Sequence, residues 1–178
     1  MELNSDNHLM VQVKHGDLDK MSVLFARYNK RLFGFFWHFN LDQTNCEDLV
    51  QTVFYRMIRY RSSFDETHSF KTWMFTLARN TLNDDFARIK KREIAYAEVF
   101  RGFEESSGGT DLTEQKLLVT KALNLISPES REILLLARYE ELPYKEISVV
   151  LGISEANVKV RVHRAMKELK DVYLKLEK

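Results

Sequence analysis

The sequence predicts an all-α protein, with two small helical domains joined by a flexible linker and a helix-turn-helix in the second. Three observations carry that prediction. Apolar residues recur at steps of three and four along most of the chain, which is helical spacing. No segment alternates with period two or has the turn chemistry of a hairpin, so no sheet is expected. The two prolines, Pro128 and Pro143, both stand at helix starts, where a missing N–H costs least.

Composition is consistent with this class. A chain of 178 residues holds one or two small domains, and 44% apolar residues suffice for their cores. Charged residues make up 30% and sum to a formal charge of +1, but they are unevenly placed. Lys and Arg concentrate in residues 154–178 and in the run RIKKR at 88–92, while 98–115 is acidic. One cysteine, Cys46, rules out an internal disulfide or a cysteine-based zinc site, and its neighbours Glu47 and Asp48 raise the thiol pKa. The start, MELNSDNHLM, lacks the basic and apolar parts of a signal peptide, and no run is long enough to span a membrane. A cytoplasmic protein without membrane insertion is expected.

In chain order, Asp6 is placed to cap a short helix with Leu9, Met10 and Val13 inward, ended by Gly16. Asp17 then caps a longer helix, with Leu18, Met21, Leu24, Phe25, Tyr28, Leu32, Phe35, Phe36 and Phe39 at helical steps. After a break at 40–45, a third helix from Glu47 turns Leu49, Val50, Val53, Phe54, Met57 and Ile58 inward. Glu47, Asp48, Gln51 and Tyr55 face out; acids at a helix start commonly serve only to complement its dipole. Residues 61–70, RSSFDETHSF, read as a polar loop.

Helical spacing returns from Phe70 to Arg92 through Trp73 or Met74, Leu77, Ala78, Thr81, and Phe86 or Ile89. Trp73, Asn80 and Asp84 fall near one line on this helix, with Lys71, Asn83, Arg88, Lys90, Lys91 and Arg92 nearby. Aromatics interleaved with amides and cations beside a polar loop suit unstacked bases and phosphates. Phe64, Phe70 and Trp73 equally fit a core. From 96 to 114 the period lapses into acids, Ser and Gly-Gly, the composition of a flexible linker.

In the second domain Thr113 is placed to cap a helix with Leu117, Leu118, Ala122 and Leu125 inward. Ser127 caps the next, with Ile133, Leu134 and Ala137 inward. PYKEISVVLGISEANVKVRVHRAMKELK, residues 143–170, then reads as helix, turn, helix: Ile147, Val150 and Leu151 form one apolar face, Gly152 makes the turn, Ile153 plugs it and Ser154 is the N-cap. Val158, Val162, Ala165, Leu169, Val172 and Leu176 fix the buried stripe of the last helix. Its opposite side carries Ala156, Asn157, Lys159, Val160, His163, Arg164 and Lys167, with Arg161 on the shoulder. Small and amide residues first and cations along the length suit a major groove and its flanking phosphates. An outward valine can meet a thymine methyl, although stray surface valines are common.

No catalytic constellation accompanies these features. His8, His15, His38, His68 and His163 are scattered, and neither a phosphate loop nor a metal cluster is present. A binding protein without cofactor is expected rather than an enzyme.

The C-terminal helix-turn-helix, together with EDLVQTVFYRM and SFKTWMFTLARNTLNDD in the first half, resembles the extracytoplasmic-function (ECF) class of bacterial RNA polymerase sigma factors. The likeness covers about residues 10–90 and 115–175. It implies sigma region 2 in residues 1–95, a linker at 96–114 and sigma region 4 in 115–178. By position, Glu47, Asp48, Gln51 and Phe54 match the helix that docks on core polymerase. The loop holding Phe64 and Ser69, and the helix carrying Lys71, Trp73, Asn80, Asn83, Asp84, Arg88, Lys90, Lys91 and Arg92, match the part that recognises and melts the −10 element. Ser154, Glu155, Asn157, Lys159, Val160, Arg161, His163, Arg164 and Lys167 match the reader of the −35 element. The implied partners are core RNA polymerase, promoter DNA and, for many members, an anti-sigma factor. Ala87 stands where the family commonly has Arg, with Arg88 next to it, and Val160 replaces a small polar residue. The competing reading is a stand-alone helix-turn-helix regulator with an N-terminal sensing or dimerisation domain, which leaves the EDLVQ helix unexplained.

Overall fold

The structure, a computed structural model, describes residues 5–39, 41–95 and 114–177. The expected linker therefore lies outside the described residues except for Glu114, as does the proposed cap Thr113. Among the described residues all regular structure is helical: α1 (Asp6–Lys14), α2 (Lys20–Trp37), α3 (Gln43–Arg59), a 3-10 turn (Arg61–Ser63), α4 (Phe70–Ala95), α5 (Glu114–Leu125), α6 (Pro128–Leu134), a π turn (Leu135–Tyr139), α7 (Tyr144–Leu151) and α8 (Glu155–Leu176).

The first four helices close around aromatic and sulfur-bearing side chains. Phe35 lies at the centre, its ring 5.6, 5.4 and 5.4 Å from those of Phe36, Phe39 and Phe75. Each such pair adds about 1 kcal/mol beyond the area it buries. Met10, Val13, Leu24, Val53, Met57 and Met74 complete the fill with no exposure. Cys46 is sealed here too, and burial first, then Asp42 and Glu47, pushes its thiol up to about 12.

Several starts and faces differ from the spacing. Ser5, not Asp6, caps α1; α2 begins at Lys20 after Asp19 rather than behind Asp17; and α3 begins four residues before Glu47, capped by the Asp42 side chain on the Asn45 N–H at 2.8 Å. Leu18 and Phe25, expected inside, are 45% and 44% exposed: a start at Lys20 leaves Leu18 in the preceding turn, and Phe25 lies at the edge of the buried face, against Phe54 of α3. Phe86 and Ile89 also reach solvent, and Phe75 takes a core place instead. In α5 the inward residue is Ala122, followed by Ile126; Leu117 and Leu125 face out.

The helix-turn-helix forms as spaced. Gly152 ends α7 at φ +65, a left-handed conformation that costs other residues a Cβ clash. Ser154 caps α8, accepting from the Asn157 N–H at 3.3 Å. Val158, Val162 and Ala165 are buried, while Leu169, Val172 and Leu176 are half-buried. The buried Arg131 has no carboxylate partner among the described residues: its guanidinium donates to the carbonyls of Leu123, Asn124 and Ile126 at 2.7, 2.6 and 3.2 Å, closing the α5–α6 corner.

The two halves are not separate in space. Helix α7 packs on α4, and buried residues of both halves form one apolar cluster. Arg131 also donates across the boundary to the His38 carbonyl at 2.6 Å, and Arg79 Nε lies 3.1 Å from Glu132. The His38 ring meets Tyr139 edge-on at 6.1 Å; burial, then Arg131, lowers its pKa and favours the neutral ring.

Candidate nucleic-acid interface

The second-domain surface is the simpler one. Ser154, Glu155, Ala156, Asn157, Lys159, Val160, Arg161, His163, Arg164 and Lys167 are all exposed on one helix. Since α8 buries Val158, Val162 and Ala165 against α5, α6 and α7, 3.6-residue geometry leaves these side chains pointing away from the body. Val160 is 46% exposed, an apolar point among cations. The expected members of this site are thus brought together.

The first-domain surface is composite. Loop 61–70 opens with its 3-10 turn and then runs to the N-terminus of α4. Two side chains of α1 hold it. Asn7 Nδ2 donates to the His68 carbonyl at 3.0 Å while its Oδ1 accepts from the Phe70 N–H at 2.7 Å, and Lys14 Nζ donates to the Phe64 carbonyl at 2.9 Å. Sequence reasoning missed Asn7 and Lys14 because their partners are backbone groups fifty or more residues away, which no local pattern encodes.

Phe64 is 1% exposed and sits edge-on to Trp73, ring centres 5.4 Å apart. It therefore backs the surface rather than facing it; the loop turns it into the α1–α4 core. Trp73 itself is half-buried and keeps part of its ring accessible. Along α4, Asn80, Asn83, Asp84 and Arg88 are exposed; Asp84 is held by Arg56 at 2.7 Å and Arg88 pairs with the buried Asp85. The side chains of Lys90, Lys91 and Arg92 lie outside the described residues.

Ser69 and Lys71 are engaged from the second domain. Ser69 caps α4, accepting from the Thr72 N–H at 3.2 Å, and its hydroxyl donates to Glu146 of α7 at 2.7 Å; Thr72 Oγ1 donates to the same carboxylate oxygen at 2.6 Å. Lys71 Nζ donates to the Glu140 carbonyl at 2.5 Å, 3.7 Å from its carboxylate. Burial, then Arg31, pulls the Lys71 pKa down, opposed by Glu140, Glu141 and Glu146.

Also in the first domain, α3 presents Glu47, Asp48 and Gln51, all exposed. They rim two grooves. One, of about 450 Å³, is lined by Phe25, Asn29, Lys30, Phe33, Glu47, Val50 and Gln51. The other, of about 430 Å³, includes Asn45, Asp48, Thr52, Tyr55 and Arg88. Phe54 is 6% exposed and lies under Phe25, 4.8 Å between ring centres, so it supports the first groove from below.

Among the described residues no group of three or more His, Cys, Asp or Glu is placed to hold a metal ion, and no helix is long and apolar enough to cross a membrane.

Comparison with known proteins finds the same two parts. A family model described as Sigma-70 region 2 matches residues 24–93, and one described as Sigma-70, region 4 matches 116–169. The RNA polymerase sigma factor CarQ of Myxococcus xanthus is 29% identical over 170 residues, covering 94% of this chain and 97% of that protein. The ECF RNA polymerase sigma factor SigM of Bacillus subtilis (strain 168) is 31% identical over 153 residues, covering 84% and 93%. In fold, the chain resembles CnrH in complex with the cytosolic domain of CnrY, with TM-score 0.69 and 24% identity over 94% of this chain and 96% of that one. It also resembles the sigma factor RpoE in complex with the anti-sigma factor NepR from Bartonella quintana, with TM-score 0.70 and 24% identity over 88% and 98%.

Proposed function

The chain belongs to the extracytoplasmic-function class of bacterial RNA polymerase sigma factors, and on that premise we propose that it binds core RNA polymerase, directs it to promoters, melts the −10 element and so starts transcription. The carrying observation is that one chain holds two accessible surfaces of different chemistry. One is a cationic helix open along its length. The other is a strapped loop beside a half-exposed tryptophan. The first suits duplex, the second opened strand.

The division of labour follows the folding units. Residues 1–95 form region 2, 96–114 the linker and 115–178 region 4; the family-model matches at 24–93 and 116–169 fall on either side of the linker and support this division. Glu47, Asp48 and Gln51, above Phe54, form the polymerase dock. Trp73, Asn80, Asn83, Asp84, Arg88, Ser69 and Lys71, backed by Phe64 and followed by Lys90, Lys91 and Arg92, hold the −10 element. Ser154 to Lys167 read the −35 element.

Each surface alone binds weakly. When polymerase fixes their separation, effective concentration makes joint binding strong without new contacts. Opening needs no catalytic residue, since stacking and hydrogen bonding to extruded bases offset an unstacking cost of about a few kcal/mol. The protein is a binding factor rather than an enzyme, and an anti-sigma factor is a further partner.

Purified core polymerase supplemented with this protein is expected to initiate at defined sites on genomic DNA; no initiation on any template counts against the proposal. Asp48→Arg is expected to abolish association with core while circular dichroism shows the fold intact. Unchanged association sinks the dock assignment.

A further inference from the structure

We propose that the N-terminus of α4 is a seat for a backbone phosphate of the opened −10 strand, and that Glu146 occupies this seat from the second domain, with Glu140 holding its lysine. In this arrangement the chain carries its own stand-in for the strand. The inference rests on the −10 reading given above and adds how that site is regulated.

The seat is more than a helix end. Two hydroxyls, Ser69 Oγ and Thr72 Oγ1, converge on one carboxylate oxygen of Glu146 at 2.7 and 2.6 Å, where the positive end of the α4 dipole also favours an anion. A phosphate oxygen accepts hydrogen bonds from the same donors. Lys71 supplies the cation that phosphate binding calls for, and here it is turned onto Glu140.

Glu140 is the second, independent observation. Its side chain has no exposure, and among the described residues neither carboxylate oxygen finds a hydrogen-bond partner, so it is held by ion pairing alone. The cations beside it, Arg31 at 3.1 Å and Lys71 at 3.7 Å, both belong to the first domain. Burial pushes its carboxyl pKa up, and those two cations push it back down. The residue is brought there by the π turn before it, whose Glu140 N–H reaches back to Leu135, and Glu141 follows at φ 55. A buried acid whose charge partners lie across a domain boundary suits a contact that forms and breaks better than a permanent core. When the domains part, Glu140 gains water, while Ser69, Thr72 and Lys71 become free for another anion.

Occupancy by an internal acid lowers apparent strand affinity by the fraction of chains that are open. The test uses full-length protein and a short fluorescein-labelled single-stranded DNA of mixed sequence. The double variant Glu132→Ala, Glu146→Ala removes two carboxylates that reach across the boundary; Glu129→Ala, Glu177→Ala removes equal charge from exposed positions elsewhere on the second domain. The first is expected to bind at least about fivefold tighter than wild type and to show a larger radius in X-ray scattering. The control changes binding less than about twofold, and adding Lys71→Ala to the first variant removes the gain.

Equal binding by wild type and the first variant overturns the occupancy. A gain that survives Lys71→Ala places the strand elsewhere and overturns the seat. Initiation by holoenzyme carrying Lys71→Ala alone separates the two levels: if it falls while the double variant shows no gain, the −10 reading stands and only self-occupancy fails.

Discussion

The two proposed reading surfaces differ in how they are built and in how available they are. The α8 surface comes from one helix, and its outward side chains stand in solvent. The proposed −10 surface is assembled from α1, loop 61–70 and α4, and the second domain already engages Ser69, Lys71 and Thr72. A surface made by one period needs only a buried stripe on its other side. A surface made by three segments needs struts, and struts can be shared with a regulator.

The largest effect is expected where the comparison rests on shared support. Arg131→Ala leaves the carbonyls of Leu123, Asn124 and His38 without their charged donor, at a cost of about 3 kcal/mol. Urea denaturation should show that loss. Because one of these carbonyls belongs to the first domain, the variant should also loosen the domain boundary, read as faster proteolysis between 95 and 114. A stability loss without that change would make Arg131 a strut of the second domain alone.

Next comes the strap on the loop. Asn7→Ala removes hydrogen bonds to His68 and Phe70, worth about 2 kcal/mol together. It should weaken discrimination among −10 sequences in holoenzyme assays while leaving −35 duplex binding unchanged. An equal loss at both elements would show that α1 supports the whole domain rather than the loop.

The same contrast explains what the sequence could reveal. Val158, Val162 and Ala165 inside, and Arg164 and Lys167 outside, follow from a single repeat, so the first half of α8 was legible, while Leu169, Val172 and Leu176 of the same stripe end half-buried. Ser127 and Gly152 were legible because capping and left-handed turns demand particular residues. Leu18, Phe25, Leu117 and Leu125 fit the helical steps yet lie outside, since spacing gives a stripe but not its edges. Phe64 showed the same limit: an aromatic in a polar loop can face a base or its own core, and only the packing of Trp73 decided. Asn7, Glu140 and Glu146 act on residues sixty or more positions away, beyond any local pattern.

A smaller pair of effects sharpens the description of the open surface. Arg164→Ala should weaken binding to every duplex alike and lower the slope of log K against log salt by about one, as expected for one lost phosphate contact. Val160→Ala should leave that slope unchanged, because no charge is lost, and shift preference among −35 sequences by about 1 kcal/mol at a single base pair. The two readouts separate positioning from reading on one helix. Should Val160→Ala change affinity equally for all sequences, the valine faces backbone or solvent, and the sequence preference of this protein must come from Asn157 and its neighbours at the start of α8.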